Sequence, residues 1–460
     1  MVSEVKDYEF SSWGEYMKQK PVPVFHVLTL QEIIERIDES RKQRDLMYEL
    51  TPANQMILAR RNGTFEAVMT GKGDEKCLIP EMGVVHYLYR GQNEEHVPCV
   101  PSLYRGEPTD IDIFIQRMRL TVFRKMLNSH PVVENFFRRH HFLVDEEGLA
   151  QHYGLKTEVL DLTSNLNVAL FFAVCKYDST TDTYRYFDDG NVHEGILYVF
   201  DPLRDNEPIP MHHIDKYMNG NITPIGLQAF PRPGAQYGYA LHIGQGKSTK
   251  SWMYRFTFTC EDSKHYYDLF DKGQSLWVKD RIIDKTKQIA SQTTFSYGVF
   301  SETFEKYRPK GYSRTKLIEA LKPFITLQKK VDDVVFSATE RDEITKEWNE
   351  TLGKVMAEKI VRKYWFEYEG ITNPEDGKWG QVKGMKNRHE FMTLKHISEY
   401  MMMLVIAAPD GPKDAEWNNY MNTPRHATKP RPDDGQWKKI PASMNSVFGK
   451  PFLTEDEWRI

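Results

Sequence analysis

The chain has 460 residues, 40% of them hydrophobic and 13% aromatic, which is the composition of an ordinary globular protein. Its length predicts about two or three domains, each large enough to bury a core of its own. The 61 basic and 65 acidic residues leave a net charge of -4, so the chain as a whole has no attraction for nucleic acid or anionic lipid. A nucleic-acid partner is therefore disfavoured, and any site for a polyanion must be local.

Cysteine spacing predicts neither a zinc site nor a disulfide framework. Cys77, Cys99, Cys175 and Cys260 lie far apart, without the close Cys or His spacing of metal sites. The N-terminal residues contain no apolar export signal, and the longest apolar run, residues 401 to 408, is too short to span a bilayer. We therefore expect a cytoplasmic protein without a metal ion and without a membrane partner.

The first predicted elements are a helix and a short strand. Apolar residues recur at helical spacing over residues 30 to 37, and Thr29 precedes them as a candidate N-cap. Residues 86 to 89 are rich in β-forming side chains and predict the strand. We expect this strand to deliver Arg90 to its end, where Gly91 permits a sharp change of direction.

Residues 110 to 126 predict a core-facing helix, with Thr109 or Asp110 as its cap. Residues 159 and 160 then predict a strand that ends in Asp161, after which Thr163 or Ser164 caps a helix that is apolar nearly all round. Such a helix is buried, and the free amides at its N-terminus suit a phosphate or a carboxylate.

The later elements are a second buried strand, residues 196 to 200, and a third that would bring Gln236 into the same site. Residues 313 to 370 show helical periodicity and predict a mainly helical second domain. The C-terminal tail contains Trp417, Trp437 and Trp458, whose side chains favour burial. The predicted segments are an N-terminal leader over 1–24, a first domain over 25–260, the helical domain over 261–407 and a loop-rich tail over 408–460.

Residues 25 to 245 resemble the FRG domain family, which is named for a Phe-Arg-Gly signature. The resemblance is carried by Tyr89-Arg90-Gly91, by the run from Ala150 to Ala173, and by Gln236-Tyr237-Gly238. It identifies the first domain as an FRG domain and implies a bacterial or phage-related protein in a defence or toxin setting. The sequence departs from the family's usual pattern at Lys156, Glu158 and Leu162, where proline, arginine and tryptophan are common. If Glu158 faced the pocket, it would weaken the binding of a phosphate dianion.

The order of these elements also resembles the ADP-ribosyltransferase superfamily. There, an arginine or histidine on the first strand grips NAD, a Ser/Thr strand shapes the nicotinamide pocket, and a late glutamate steers catalysis. The resemblance implies that Arg90 holds phosphate or ribose, that Thr163 and Ser164 shape the pocket, and that Gln236 takes the place of the glutamate. The predicted cofactor-binding set is Arg90, Arg105, Tyr153, Thr163 and Ser164.

The predicted catalytic residues are Asp161, His152 and Gln236. An amide at position 236 lacks the charge with which a carboxylate stabilises a ribose cation, as in glycoside hydrolysis. Either another carboxylate serves, with Asp161 the first candidate, or the site binds a nucleotide without turning it over. His152 is a candidate general acid or base, since histidine titrates near neutral pH.

Each candidate also has a structural interpretation. Arg90 and Arg105 could be ion-paired with Asp161 or Glu107, because buried arginines need partners. His152 could bond a backbone carbonyl in its turn, and Gln236 could be a satisfied core amide.

The sequence therefore predicts an α+β fold: a small mixed β-sheet with helices, ADP-ribosyltransferase-like, followed by a mainly helical domain. The expected function is binding of NAD or another nucleotide, with ADP-ribosyl transfer to a macromolecular acceptor as the expected reaction. NAD would then be a substrate. The alternative is a non-catalytic recognition module that binds a phosphate-bearing or protein partner.

Overall fold

The computed structural model describes residues 3–4, 27–47, 65–69, 74–80, 87–94, 99–200, 222–243, 252–361 and 453–460. The strands in these ranges are β1 Ser3–Glu4, β2 Leu28–Thr29, β3 Phe65–Met69, β4 Lys76–Pro80, β5 Leu88–Gln92, β6 Val159–Thr163, β7 Cys175–Asp178, β8 Thr183–Tyr186, β9 His193–Phe200, β10 Ile222–Pro224, β11 Gly238–His242, β12 Trp252–Phe258, β13 Thr294–Ser296, β14 Thr326–Gln328 and β15 Ile360–Val361. The helices are α1 Leu30–Met47, α2 Asp110–Asn128, α3 Glu146–His152, α4 Leu166–Val174, α5 Pro231–Ala235, α6 Cys260–Leu269, α7 Ile282–Ser291, α8 Tyr297–Tyr307, α9 Arg314–Leu321, α10 Ala338–Glu347, α11 Gly353–Lys359 and α12 Glu455–Trp458.

An eight-stranded mixed sheet lies at the centre, with strand order β1-β12-β9-β5-β6-β11-β10 and β2 paired parallel to β12. The other pairings in this sheet are antiparallel. The predicted α+β class is confirmed, while its ADP-ribosyltransferase-like detail stays a prediction. The first helix and the helix after residue 109 are also confirmed, with Thr29 and Thr109 at their N-termini.

The sheet is interrupted between its two central strands. Every residue of β5 pairs with β9, but β5 and β6 pair only through Tyr89 and Thr163. Next to that couple, Arg90 Nη1 donates a hydrogen bond to the backbone carbonyl of Asp161 at 2.9 Å. A side chain therefore bridges the two strands where the backbone ladder stops.

The predicted role of Gly91 as a turn was wrong. β5 continues to Gln92, so Arg90 lies in the middle of the strand and not at its end. Helix α4 packs directly on the strand here: a Cβ on Gly91 would lie 1.7 Å from the carbonyl oxygen of Ala169. Glycine is required because the helix backbone occupies the space of a side chain.

The predicted cap of the following helix was also wrong. β6 passes through Asp161 and ends at Thr163, and the N-cap of α4 is Asn165. The Asn165 side chain accepts hydrogen bonds from the amides of Asn167, at 2.9 Å, and Val168, at 3.4 Å. Asparagine thus fills the helix terminus that we expected to be open to an anion.

The helices beyond residue 260 share a hydrophobic core with the first half of the chain. One cluster of buried side chains includes Phe123 of α2, Phe300 of α8, Leu317 of α9, Trp348 and Trp458. The boundary at residue 260 stays a prediction, but α8 and α9 pack against the same core as α2.

The C-terminal residues 453–460 pack onto the chain near α11. Trp458 is buried, and its backbone carbonyl accepts a hydrogen bond from Trp348 Nε1 at 2.7 Å. Trp417, Trp437 and the apolar run at 401 to 408 lie outside the described residues. None of the helices in the described ranges is both long and apolar enough to cross a membrane.

Candidate functional site

A cavity of about 420 Å³ opens beside the interruption between β5 and β6. It collects residues that are far apart in sequence, including most of the predicted site residues: Arg90, Arg105, His152, Asp161, Thr163 and Gln236. Tyr153 and Ser164 do not line it.

Two arginines lie on one side of the cavity. Arg105 Nε donates to the carbonyl of Val100 at 3.2 Å, and Arg90 bonds the backbone of Asp161. Burial, followed by the nearby charge of Arg90, lowers the pKa of Arg105. Within the described ranges no carboxylate lies at ion-pair distance from either guanidinium, so the structural ion pair considered from the sequence is not formed.

His152 and Asp161 lie next to each other at the cavity. His152 Nε2 lies 3.6 Å from Asp161 Oδ1, too far for a hydrogen bond, and neither atom has another hydrogen-bond partner in the described part of the chain. On the other side of the ring, His152 Nδ1 donates to Gln236 Oε1 at 2.9 Å. The Gln236 oxygen can only accept, so the proton of a neutral His152 lies on Nδ1 and Nε2 is left with a free lone pair.

Gln236 and Thr163 line the cavity, but their polar atoms bond within the protein. Gln236 lies in the turn between α5 and β11, not on a strand as predicted, and its Nε2 donates to the carbonyl of Leu276 at 3.0 Å. Thr163 Oγ1 donates to the carbonyl of Gln236 at 2.7 Å and accepts from the Asn165 amide at 3.1 Å. The polar atoms of both residues are therefore engaged by neighbouring parts of the chain.

The model of the family "FRG domain" matches residues 85–182, which contain β5, β6, α4 and β7. The chain contains an FRG domain. The domain supplies Arg90, Arg105, His152 and Asp161, whereas Gln236 comes from outside the matched range. A comparison with curated proteins found no match, and neither did a comparison with solved structures.

An aromatic wall, made of Tyr177 and Tyr184 of the β7-β8 hairpin and of Trp277, also lines the cavity and was missed by sequence reasoning. Tyr177 and Tyr184 are cross-strand partners whose ring centres lie 5.3 Å apart, and each lies 5.4 Å from the ring of Trp277. Alternation along the hairpin could have placed the two tyrosines on one face. No local signal could have found Trp277, because it reaches the site from beyond α6.

Gln92 is a second residue that the sequence analysis missed. It lies two positions after Arg90 on β5, and successive side chains of a strand alternate between faces. Strand alternation therefore could have placed it beside Arg90. It is buried and lines the cavity.

Tyr153 does not line the cavity but belongs to a stack of side chains next to it. Its hydroxyl donates to Asp280, and its ring lies 4.8 Å from the guanidinium carbon of Arg232. Arg232 in turn lies 4.1 Å from the ring of Trp277 and donates to the His152 carbonyl at 3.3 Å. This buried stack connects the aromatic wall to the helix end that carries His152.

Two remaining predicted positions lie away from the cavity. The backbone amide of Ser164 donates to the carbonyl of Tyr237 at 3.2 Å, which joins the end of β6 to the turn before β11. Glu158 is ion-paired with Arg117, which donates from Nε at 2.9 Å, and does not line the cavity. The acidic substitution at position 158 therefore adds no charge to the site.

A group of metal-ligating side chains lies outside the cavity. Donor atoms of Asp189, His193 and Cys260 lie within 4.8 Å of one another. Asp189 accepts from His193 Nε2 at 2.8 Å and from the amide of Asn191 at 3.0 Å. These hydrogen bonds within a turn are sufficient to explain why the side chains of the group lie close together.

Proposed function

We propose that the FRG domain binds a nucleotide, with NAD as the leading candidate, and transfers ADP-ribose from it to a macromolecular acceptor. The observation that carries the proposal is a set of buried polar atoms around the cavity without hydrogen-bond partners in the described structure: Arg90 Nε, His152 Nε2, Asp161 Oδ1 and the amide of Gln92. Such atoms are costly to leave unsatisfied, which favours a ligand that bonds them. The cavity volume of about 420 Å³ is typical of small-molecule sites.

The arginine pair supports an anionic part of the ligand. A guanidinium binds phosphate oxygens through two parallel hydrogen bonds, and Arg90 and Arg105 have no carboxylate at ion-pair distance among the described residues. A diphosphate between them would also relieve the repulsion that contributes to the lowered pKa of Arg105, after the larger effect of burial.

The aromatic wall supports a flat ring as another part of the ligand. Tyr177 is exposed, and Tyr184 and Trp277 are partly exposed on the cavity side. Stacking of a base on an aromatic side chain contributes about 1–3 kcal/mol in other proteins. A nucleotide combines such a ring with a phosphate, which matches the aromatic and the cationic side chains that line the cavity.

In the proposed reaction the bond between nicotinamide and ribose breaks, and its electron pair leaves with nicotinamide. The acceptor nucleophile then bonds to the ribose carbon. Asp161 would stabilise the positive charge on the ribose, and His152 Nε2 would accept the proton that the nucleophile loses. Gln236 accepts the hydrogen bond of His152 Nδ1 and would orient the imidazole ring.

The test is release of free nicotinamide from NAD by purified protein, followed over time by chromatography. Asp161→Asn keeps the side-chain shape but removes the charge, and we expect it to lower the rate by about 100- to 1000-fold. Arg90→Met should abolish binding of the diphosphate. Arg36→Met removes an exposed arginine of α1, away from the cavity, and should leave the rate unchanged. Equal rates for wild type and Asp161→Asn would refute the catalytic role.

One observation favours the alternative of a recognition module that binds a phosphate-bearing partner without chemistry. Only 2% of the His152 side chain is exposed, which limits its access to an acceptor. This alternative predicts that nucleotides raise the melting temperature of wild type but not of Arg90→Met, while no nicotinamide is released from NAD.

A further inference from the structure

Among the described residues that line the cavity, Gln92 is the one whose whole amide group has no hydrogen-bond partner in the described ranges. Both Nε2 and Oε1 are buried without a hydrogen-bond partner anywhere in the described ranges, and the residue is 7% exposed. The amides of its neighbours along the cavity differ: Gln151 Oε1 accepts from Ser102 and Thr157, each at 2.9 Å, and Asn93 Nδ2 donates to Cys175 at 2.9 Å.

An unsatisfied buried amide does not stabilise the folded protein. It loses its hydrogen bonds to water and gains none from the protein, so it destabilises the free chain. A purely structural position of this burial would be better filled by an apolar side chain. Gln92 shares the face of β5 with Arg90 and lines the same cavity, so a bound ligand can supply the missing partners.

We propose that Gln92 determines ligand specificity by reading a paired donor and acceptor edge of the nucleotide, either a primary carboxamide or the edge of a nucleobase. A side-chain amide presents one acceptor and two donors side by side, which is the complement of such an edge. A sugar phosphate alone lacks this pairing. The inference rests on the proposed nucleotide site and adds to it the chemical group that the site distinguishes.

The test compares wild type with Gln92→Met, which keeps the length of the side chain and removes both polar atoms. Calorimetric titrations would use three ligands: NAD, ADP-ribose, which lacks nicotinamide, and nicotinamide mononucleotide, which lacks adenine. If Gln92 reads the carboxamide, affinity for NAD and the mononucleotide falls by about 10- to 100-fold and affinity for ADP-ribose is retained. If it reads adenine, NAD and ADP-ribose lose affinity and the mononucleotide does not.

The melting temperature of the free protein gives a second readout that a structural role would move in the opposite direction. Because Met removes an unsatisfied amide, Gln92→Met should melt about 1–3 °C higher than wild type. A lower melting temperature combined with unchanged affinities would assign Gln92 to the core and overturn the inference. Equal losses of affinity for both fragments would also overturn it, because a contact with one edge must spare the fragment that lacks that edge.

Failure of the proposed function gives a different result. If wild type binds none of the three ligands, both the nucleotide site and the role of Gln92 are refuted. If wild type binds them and Gln92→Met binds them equally well, the nucleotide site stands and the role of Gln92 alone is refuted.

Discussion

Replacement of Gly91 by alanine tests the contact that positions the whole site. The new Cβ would lie 1.7 Å from the carbonyl oxygen of Ala169 and 2.9 Å from the amide nitrogen of Ala173, whereas ordinary contact begins at 3.4 Å. Both atoms belong to the backbone of α4, so no side chain can rotate away. To restore an ordinary contact distance, α4 would have to move away from β5 by about the difference between the clash distance and the ordinary contact distance.

The expected cost is large because α4 is buried. Overpacking a core commonly costs about 1–3 kcal/mol, and a clash with helix backbone should reach at least the upper end of that range. For a chain of 460 residues about 3 kcal/mol corresponds to a fall in melting temperature of roughly 3 °C or more. The change also moves the strand that carries Arg90, so nucleotide binding should fall with stability.

The assay is scanning calorimetry of wild type and Gly91→Ala, with Gly298→Ala as a matched control. Gly298 is exposed in α8, and the nearest atom to its added Cβ is Ser296 Oγ at 3.5 Å, an ordinary contact. Alanine favours helix over glycine, so this control should melt at the same temperature as wild type or slightly higher. A Gly91→Ala protein that melts within about 1 °C of wild type and still binds nucleotide would contradict the packing argument.

Two further predictions concern stability away from the cavity. Burial lowers the pKa of His242, but its hydrogen bond to Asp145 at 2.9 Å and nearby carboxylates raise it more, so the net shift is upward from 6.5. The stability contributed by protonated His242 is present below pH 6.5 and is lost as the pH rises through the raised pKa. In urea melts the free energy of unfolding of wild type should therefore fall over this pH window, and that of His242→Gln should fall less. Trp458→Ala should cost about 3 kcal/mol, because it leaves a cavity beside Trp348; an unchanged calorimetric melting temperature would show that residues 453–460 do not stabilise the fold.

The sequence was sufficient to predict those elements whose sequence signal is local. Helical spacing and capping residues located α1 and α2, because periodicity and N-cap chemistry act within a few neighbouring residues. The family resemblance also predicted that Arg90, His152 and Asp161 belong to one site. The segments that carry them occur in the order typical of the family. Hairpin alternation would have added Tyr177 and Tyr184 to this set.

The sequence was insufficient where a residue's role depends on what packs against it. Gly91 has the composition of a turn, but its function is to let α4 contact β5. Gln236 was expected to touch the ligand, yet its amide is engaged by His152 and Leu276, which are distant in sequence. Trp277 had no local signal at all.

The sequence by itself determined the class of fold, the presence of an FRG domain, and the residue types available for binding an anion. Tertiary structure decided which of those residues keep a free hydrogen-bonding atom. The physical reason is that a polar side chain bonds the nearest suitable partner, and in a folded chain that partner comes from any part of the sequence. Gln236 and Thr163 found partners within the protein, whereas Gln92, His152 and Asp161 keep atoms at the cavity that have no hydrogen-bond partner among the described residues.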